Sequence, residues 1–498
     1  MRYPAFLRPF EHLLTWAQTP FRQLFLAAII NLCQNAAWNA VLGVGGGGLM
    51  DSSISAKANV AGSIAGGVSG FVLGGVINYL GVRNTILLQS LMYASFMASF
   101  VLYAYWPVAF PVIFTGALKG LGLPFAYGVQ STMMTAYPRD HRRGHYLSTF
   151  YLISSINGIL GGGVTLALNI GSTSRALGLT TYYVATVVAV IPLFLALFLV
   201  QPHKLCKADG ASIVVPKFRG WVTETRLFLT VLGCLPLILL VPYSLVTQCY
   251  YAYQFNAFNF YLFTIRTRAI NCMVYYASSL VASYAFGWFL DHTFKRAPRT
   301  RGLVALGAML TMALGAYIGA YFIQMQPRLA LNLPAQSSPT LASPAVDQSL
   351  IDITNYAAYI APLVVFILWG ALDAMFNAFL IWMLSLLFPA TDTFTHQLGY
   401  LVVFRSVGLT VGWELDAVRM SLHTQNLVMI GTTVVGCLVA AGVLIYYVRP
   451  AKDDVSECES DATSFPTSDT LADTLLPKGS TYGTTDPLLH GAVKAAEE

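Results

Sequence analysis

Apolar stretches of roughly 20 residues or more recur along most of the chain, at 23–46, 57–81, 84–106, 108–136, 146–171, 179–201, 227–253, 267–290, 302–325, 356–387, 397–419 and 426–448. Each is long enough to cross a hydrocarbon core of about 30 Å as a helix. None shows the alternation of a barrel strand, and a helix satisfies its own backbone in lipid. The pattern predicts an all-α polytopic membrane protein with twelve transmembrane helices.

Composition fits that reading. Of 498 residues 56% are hydrophobic and only 10% charged, and a mean hydropathy of +0.62 is too high for a soluble chain of this length. Residues 1–19 carry Pro4, Pro9, Glu11 and His12 before any long apolar run, which is not the pattern of a cleaved signal peptide. The seven cysteines are scattered without a CxxC pair, so neither a disulfide framework nor a metal site is expected. Of the 28 Lys and Arg, 20 fall on the side shared by both termini and six on the other. Cations flanking spans are retained on the cytoplasmic side, which predicts cytoplasmic termini. The basic collar suits anionic lipid and gives no reason to expect nucleic acid as a partner.

The spans divide at a basic linker, 202–226, into bundles at 23–201 and 227–448. Around them stand a cytoplasmic N-terminus (1–22), a Ser/Pro/Ala-rich outer loop (326–355) and a polar tail (449–498) expected to be disordered. The tail holds Leu475-Leu476 and Leu488-Leu489, each after an aspartate, in the manner of dileucine sorting signals. An internal repeat supports two halves of six helices each. The second span ends in Gly74, Asn78 and Gly81 with Arg83 in the turn after it, and the eighth ends in Gly287 with Asp291, Lys295 and Arg296 in the turn after it, 213 residues later. Both resemble the G-x-x-x-D-x-x-G-x-[RK] loop that major facilitator proteins carry once per half. There a small residue permits close helix approach and the charges form a cytoplasmic latch. Asn78 replaces the acid in the first copy and Phe294 the second glycine in the other.

Polar side chains within spans mark the interior, because an ionised group at a helix centre costs about 2.5–3.5 kcal/mol on insertion scales. Asn31, Asn35 and Asn39 recur every four residues beside Gln34, and the face continues into Gly43 and Gly45–Gly48. Such a face lines a cavity or hydrogen-bonds a neighbouring helix. Lys119, Asp373 with Asn377 one turn on, and Arg405 complete a predicted central cavity. Asp373 pairing with Arg405 or Lys119 would serve as a structural clamp or as a solute or proton site. Towards the outer mouth stand Glu414 and Asp416, and an aromatic-rich stretch ending in Arg266 and Arg268. That stretch reads as an aromatic belt. Its two arginines run against the positive-inside trend and are expected to reach back to the acids as an outer gate.

Four of these segments, Tyr253–Asn271, Trp369–Met383, Arg405–Ala417 and Asn35–Gly48, resemble the Unc-ninety-three-like branch of the major facilitator superfamily, a likeness that runs from about residue 23 to 448. The resemblance implies twelve helices in two bundles. It leaves function open, since that branch includes proteins regarded as potassium-channel regulators and as receptor-trafficking chaperones. Two expectations result. One is a secondary transporter moving a small solute or ion by alternating access; the other is a non-transporting regulator or trafficking partner of another membrane protein, embedded in lipid either way. No nucleotide loop, metal-ligand cluster or nucleophile motif is present, so neither an enzyme nor a cofactor is expected. Plasma membrane and endosomal or vacuolar membrane stay equally open.

Overall fold

A computed structural model of the chain describes residues 19–48, 52–70, 73–138, 143–172, 177–202, 233–292, 298–325, 350–388 and 394–448, with a few positions between 205 and 230. The dileucine pairs, Lys295 and Arg296, loop residues 326–349 and most of the linker lie outside these residues. The helices are α1 (Pro20–Val41), α2 (Ser52–Gly70), α3 (Leu73–Tyr105), α4 (Ala109–Ala136), α5 (Arg143–Ser155), α6 (Asn157–Asn169), α7 (Leu179–Ala196), α8 (Leu235–Tyr251), α9 (Ile265–His292), α10 (Pro298–Gln324), α11 (Tyr356–Leu387), α12 (Phe394–Ala417) and α13 (Leu422–Tyr447).

Local chemistry sets several of the ends. Pro20 and Pro236 sit in the first turns of α1 and α8, where a missing N–H costs nothing. The Asn355 and Ser421 side chains cap α11 and α13. Within α3 the backbone turns at Gly81, whose φ is +73°, a left-handed conformation natural only to glycine. A Cβ there would also meet the Gln201 side chain. Nothing lies within 4 Å of a Cβ built on Gly287. Close packing therefore does not explain the glycine of the second repeat, contrary to the reading that a small residue is needed at each copy.

Among the described residues, nine helices, with α5 and α6 counted together, are long and apolar enough to cross a membrane. The others of similar length are α2, α9 and α12, with 19, 28 and 24 residues. All three pack against other helices of the bundle. α2 lies along α12 and α9 along α6, joining helices from before and after the linker. Elsewhere each set of helices packs within itself: α1 with α6 and α7, α3 with α4 and α7, α8 with α12 and α13, and α9 with α11. The hydrophobic core divides accordingly. One large cluster is drawn entirely from residues 237–444, two smaller ones come from residues 24–213 together with Ile265 and Ala269 of α9, and a fourth joins Ala56 to Ala252, Trp413 and Ala417 across the two sets.

The seventh predicted span is displaced. Its helix starts at Leu235 and continues through a π-helical turn, Ala252–Asn259, to Leu262, and every residue of that turn is buried. The aromatic stretch is thus bundle core, not an interfacial belt. Its Tyr253, Phe258 and Phe263 pack with Tyr317, Phe366 and Trp369 from α10 and α11. Beyond it, Phe263 and Ile351 form an isolated parallel bridge.

α2 and α4 approach so closely that a Cβ on Gly120 would overlap the Gly62 carbonyl oxygen. Gly120→Leu is expected to cost about 3 kcal/mol or more through forced separation of the two helices. Gly287→Ala should shift stability by less than about 0.5 kcal/mol. Thermal unfolding of the detergent-solubilised variants compares the two.

Candidate functional site

Side chains from α8, α11 and α12 converge on one buried carboxylate. Asp373, 7% exposed, accepts three hydrogen bonds at Oδ1, from the hydroxyls of Tyr250 at 2.7 Å and Tyr251 at 2.6 Å and from Asn377 Nδ2 at 2.9 Å. The Asn377 amide passes the contact on, its Oδ1 accepting from Arg405 Nη2 at 2.5 Å and from Gln248 Nε2 at 3.5 Å. Three donors on one oxygen stabilise an ionised carboxylate where water is scarce. Arg405, partly exposed, has this one hydrogen bond among the described residues, which leaves most of its five N–H donors unused.

Across the interior stands a second polar group. Asn35 Nδ2 donates to the Asn31 carbonyl and to Asn31 Oδ1, both at 3.0 Å, and Gln130 Nε2 donates to the same Oδ1 at 3.2 Å. Tyr127 of α4 and Tyr151 of α5, 53% and 55% exposed, lie within electrostatic reach of each other, and Tyr151 also of Arg405. Tyr151 of the first set of helices thus stands close to Arg405 of the second.

The other residues predicted for the cavity are placed elsewhere. Asn39 donates to Asn157 Oδ1 of α6 at 2.6 Å, a bond between helices. Gln34 exchanges hydrogen bonds with Gln89 and donates to Ser90. Lys119 does not pair with Asp373. Its ammonium lies 5.6 Å from the Trp38 ring centroid and 5.4 Å from that of Phe96. Sequence reasoning missed Tyr250, Tyr251, Gln248 and Gln130, since neutral side chains carry no insertion cost large enough to stand out.

The far mouth is sealed. Gly45, Gly46, Gly47 and Gly48 all have φ between +62° and +84°, and Cβ atoms there would strike Phe255, Phe260, Phe100 and Leu177. Only glycine fits so tight a turn. Asn256 of the π turn accepts the Gly46 N–H and donates to Asp416. Ser52 Oγ and Tyr261 Oη lie 3.0 Å apart. Arg268, fully buried, donates to the Val44 carbonyl at 3.3 Å and covers the Phe260 ring.

The expected gate is corrected in one pair. Arg266 does not reach back to Glu414 or Asp416 but grips Asp352, Nε to Oδ1 at 2.8 Å and Nη2 to Oδ2 at 2.6 Å. Asp352 precedes α11 and also accepts from Thr264 at 2.6 Å and from Thr354. Glu414 is exposed. In the internal repeat, the side chains of Asn78 and Asp291 lie outside the described residues, and so does the environment of Gly74. The Arg83 Nε is buried with no hydrogen bond among the described residues.

No family model matches the chain. Curated relatives do: it is 28% identical to UNC93-like protein 1 of Arabidopsis thaliana over 439 residues, 88% of this chain and 93% of that one. To UNC93-like protein C922.05c of Schizosaccharomyces pombe it is 27% identical, over 77% and 74% of the two. The chain is thus similar to UNC93-like proteins along most of its length. Among solved structures it superposes on a point mutant of the nucleoside transporter NupG with a TM-score of 0.57 and 14% identity, covering 86% of this chain and all of that one. The inward-open xylose transporter XylE of E. coli gives 0.56 and 13%, covering 87% and 98%. The fold of this chain is therefore that of the major facilitator transporters, and it is a multi-pass membrane protein.

Burial by itself would raise the Asp352 carboxyl, but the hydrogen bonds from Arg266, Thr264 and Thr354 outweigh it and hold the group well below the usual carboxylate range. A carboxyl depressed in the folded state contributes stability that is full above its unfolded pKa of about 3.9 and fades as pH falls towards the folded value. Asp352→Asn is expected to destabilise the solubilised protein by about 1 kcal/mol at neutral pH, solvent screening included. The gap from wild type should narrow below about pH 4, as read from unfolding midpoints across a pH series.

Proposed function

We propose that this protein is a secondary transporter that moves a small solute by alternating access, with Asp373, Asn377 and Arg405 at the solute or proton site. The observation that carries the reading is the hydrogen-bonded chain from a buried carboxylate to a guanidinium with free donors, which stands near Tyr151 of the other helix set while the glycine-turn mouth is sealed. Closure at one end is what alternating access requires of a single state. NupG and XylE are titled as transporters, and the shared fold is compatible with the same work here. An ionisable pair so deep in a bundle is costly unless function retains it.

A second reading has its own observation. Between α10 and α11 a groove of about 530 Å³ runs along Gly315, Gly319, Phe322, Ala361, Val364 and Leu368. A lipid-facing groove of small and apolar residues suits helix-on-helix docking, which favours a non-transporting regulator or trafficking partner of another membrane protein. In both readings the basic collar sets the termini on the cytoplasmic side.

Proteoliposomes assayed for uptake of a panel of ions, amino acids and sugars separate the two. Transport predicts a panel member whose uptake falls about 10-fold or more in Asp373→Asn and in Arg405→Gln, the scale of one lost charged hydrogen bond. Uptake that neither change alters would remove these residues from the site; uptake of nothing would favour the partner reading.

A further inference from the structure

The charges of the interior do not balance. Asp373 is satisfied by two hydroxyls and an amide, and it shares Asn377 with Arg405. Arg268 and Asp416 both sit at the sealed mouth, each with its own bonds. Lys119 is left over. Among the described residues its ammonium meets no carboxylate and no hydrogen-bond acceptor, only the faces of Trp38 and Phe96. Two spare donors sit on the elements that supply those rings. Among the described residues Trp38 Nε1 is buried without a hydrogen bond, as is the hydroxyl of Tyr93, one turn from Phe96 on α3. Trp38 packs on the same cluster as Leu409, which stands one turn from Arg405 on α12, so the lysine box borders the face that carries the second underused cation.

An unpaired cation in a low-dielectric interior is costly, and cation–π contacts offset only part of that cost. A ligand that supplies the missing negative charge would recover it. The ligand must also fit aromatic walls, because the ammonium is framed by ring faces and not by amides. We propose that Lys119, with Trp38 and Tyr93, is a binding subsite for the carboxylate of a small organic monoanion whose apolar body packs on the Trp38 and Phe96 rings. The inference rests on the transporter reading for its solute to be cargo, while the binding chemistry is testable without transport.

The test is equilibrium binding of radiolabelled benzoate to the purified full-length protein in detergent, with phenylpyruvate, benzamide and chloride as competitors. Saturable binding is expected, displaced by phenylpyruvate and not by benzamide or by chloride at equal concentration. Lys119→Gln should weaken it by about 10- to 100-fold, as expected for a lost charge-assisted hydrogen bond, and Lys119→Arg should retain most of it. Size-exclusion profiles and unfolding midpoints check that each variant is folded. Absence of saturable binding to monodisperse wild type, binding unchanged in Lys119→Gln, or full displacement by benzamide would overturn the proposal, and displacement by chloride would make this a site for an inorganic anion instead. The two readings fail separately. Benzoate binding that depends on Lys119, with no uptake of any solute, removes the transporter and keeps the anion site. Uptake of a neutral solute that ignores Lys119→Gln keeps the transporter and removes the anion.

Discussion

Lipid offers no hydrogen bonds, and most of the architecture follows from that single deficit. A polar side chain on a spanning helix must find a partner inside the protein, so polarity along the chain maps the interior. The helices α2, α9 and α12, rich in polar positions, include both that follow the linker and cross to the other helix set, α9 against α6 and α12 against α2. Thr410 of α12 meets Ser63 of α2 through a 2.7 Å hydrogen bond. Where no side chain could satisfy the backbone geometry, glycine lets helices touch directly, as between α2 and α4.

At the sealed mouth the two helix sets meet through the Gly46 N–H on Asn256, the hydroxyls of Ser52 and Tyr261, and the Arg268 guanidinium on the Val44 carbonyl. The strong bidentate ion pair, Arg266 with Asp352, lies within the second set and ties the segment before α11 to the start of α9. A rocking motion need not break it. Neutral hydrogen bonds contribute about 0.5–1.5 kcal/mol each, against about 1.5–3 for charged ones, so of the mouth contacts the Arg268 bond is the costliest to break. The π turn carrying Asn256 belongs to the same logic, since π segments place side chains at angles an α-helix does not offer and are common where a helix does more than span.

The fold was legible in the sequence because it depends on bulk transfer energies. Run lengths and the asymmetry of Lys and Arg need no knowledge of partners, and the glycine at position 81 announces its backbone. The site was legible where a residue carries a charge or an amide out of place in a span, as Asn377 does. Asp373 and Arg405 stand out in an apolar helix, and they do share a neighbour; Tyr250 and Tyr251, which hold the carboxylate, look like any other members of an aromatic run. Asp352 was hidden for the opposite reason, because a carboxylate at the end of a Ser/Pro-rich loop is what solvated loops contain. The fourfold spacing of Asn31, Asn35 and Asn39 gave their common side but not their partners, which lie on α4 and α6, far away in sequence.

Lys119 belongs to the first set of helices, and Asp373 and Arg405 to the second. Charges on opposite rocking bodies change their separation when the bodies move, whereas charges on one body do not. On the transporter reading, an anion lodged near Lys119 would be attracted by Arg405 and repelled by an ionised Asp373. Its binding would therefore favour whichever tilt brings the guanidinium nearer than the carboxylate, or the state in which the carboxylate holds a proton. Either route couples the ligand to conformation through differential contact energy, which is the only means by which a ligand shifts such an equilibrium. The Asn377 bridge then has a physical purpose, as it holds the cation and the anion of the second body at a fixed spacing and lets the first body approach one or the other.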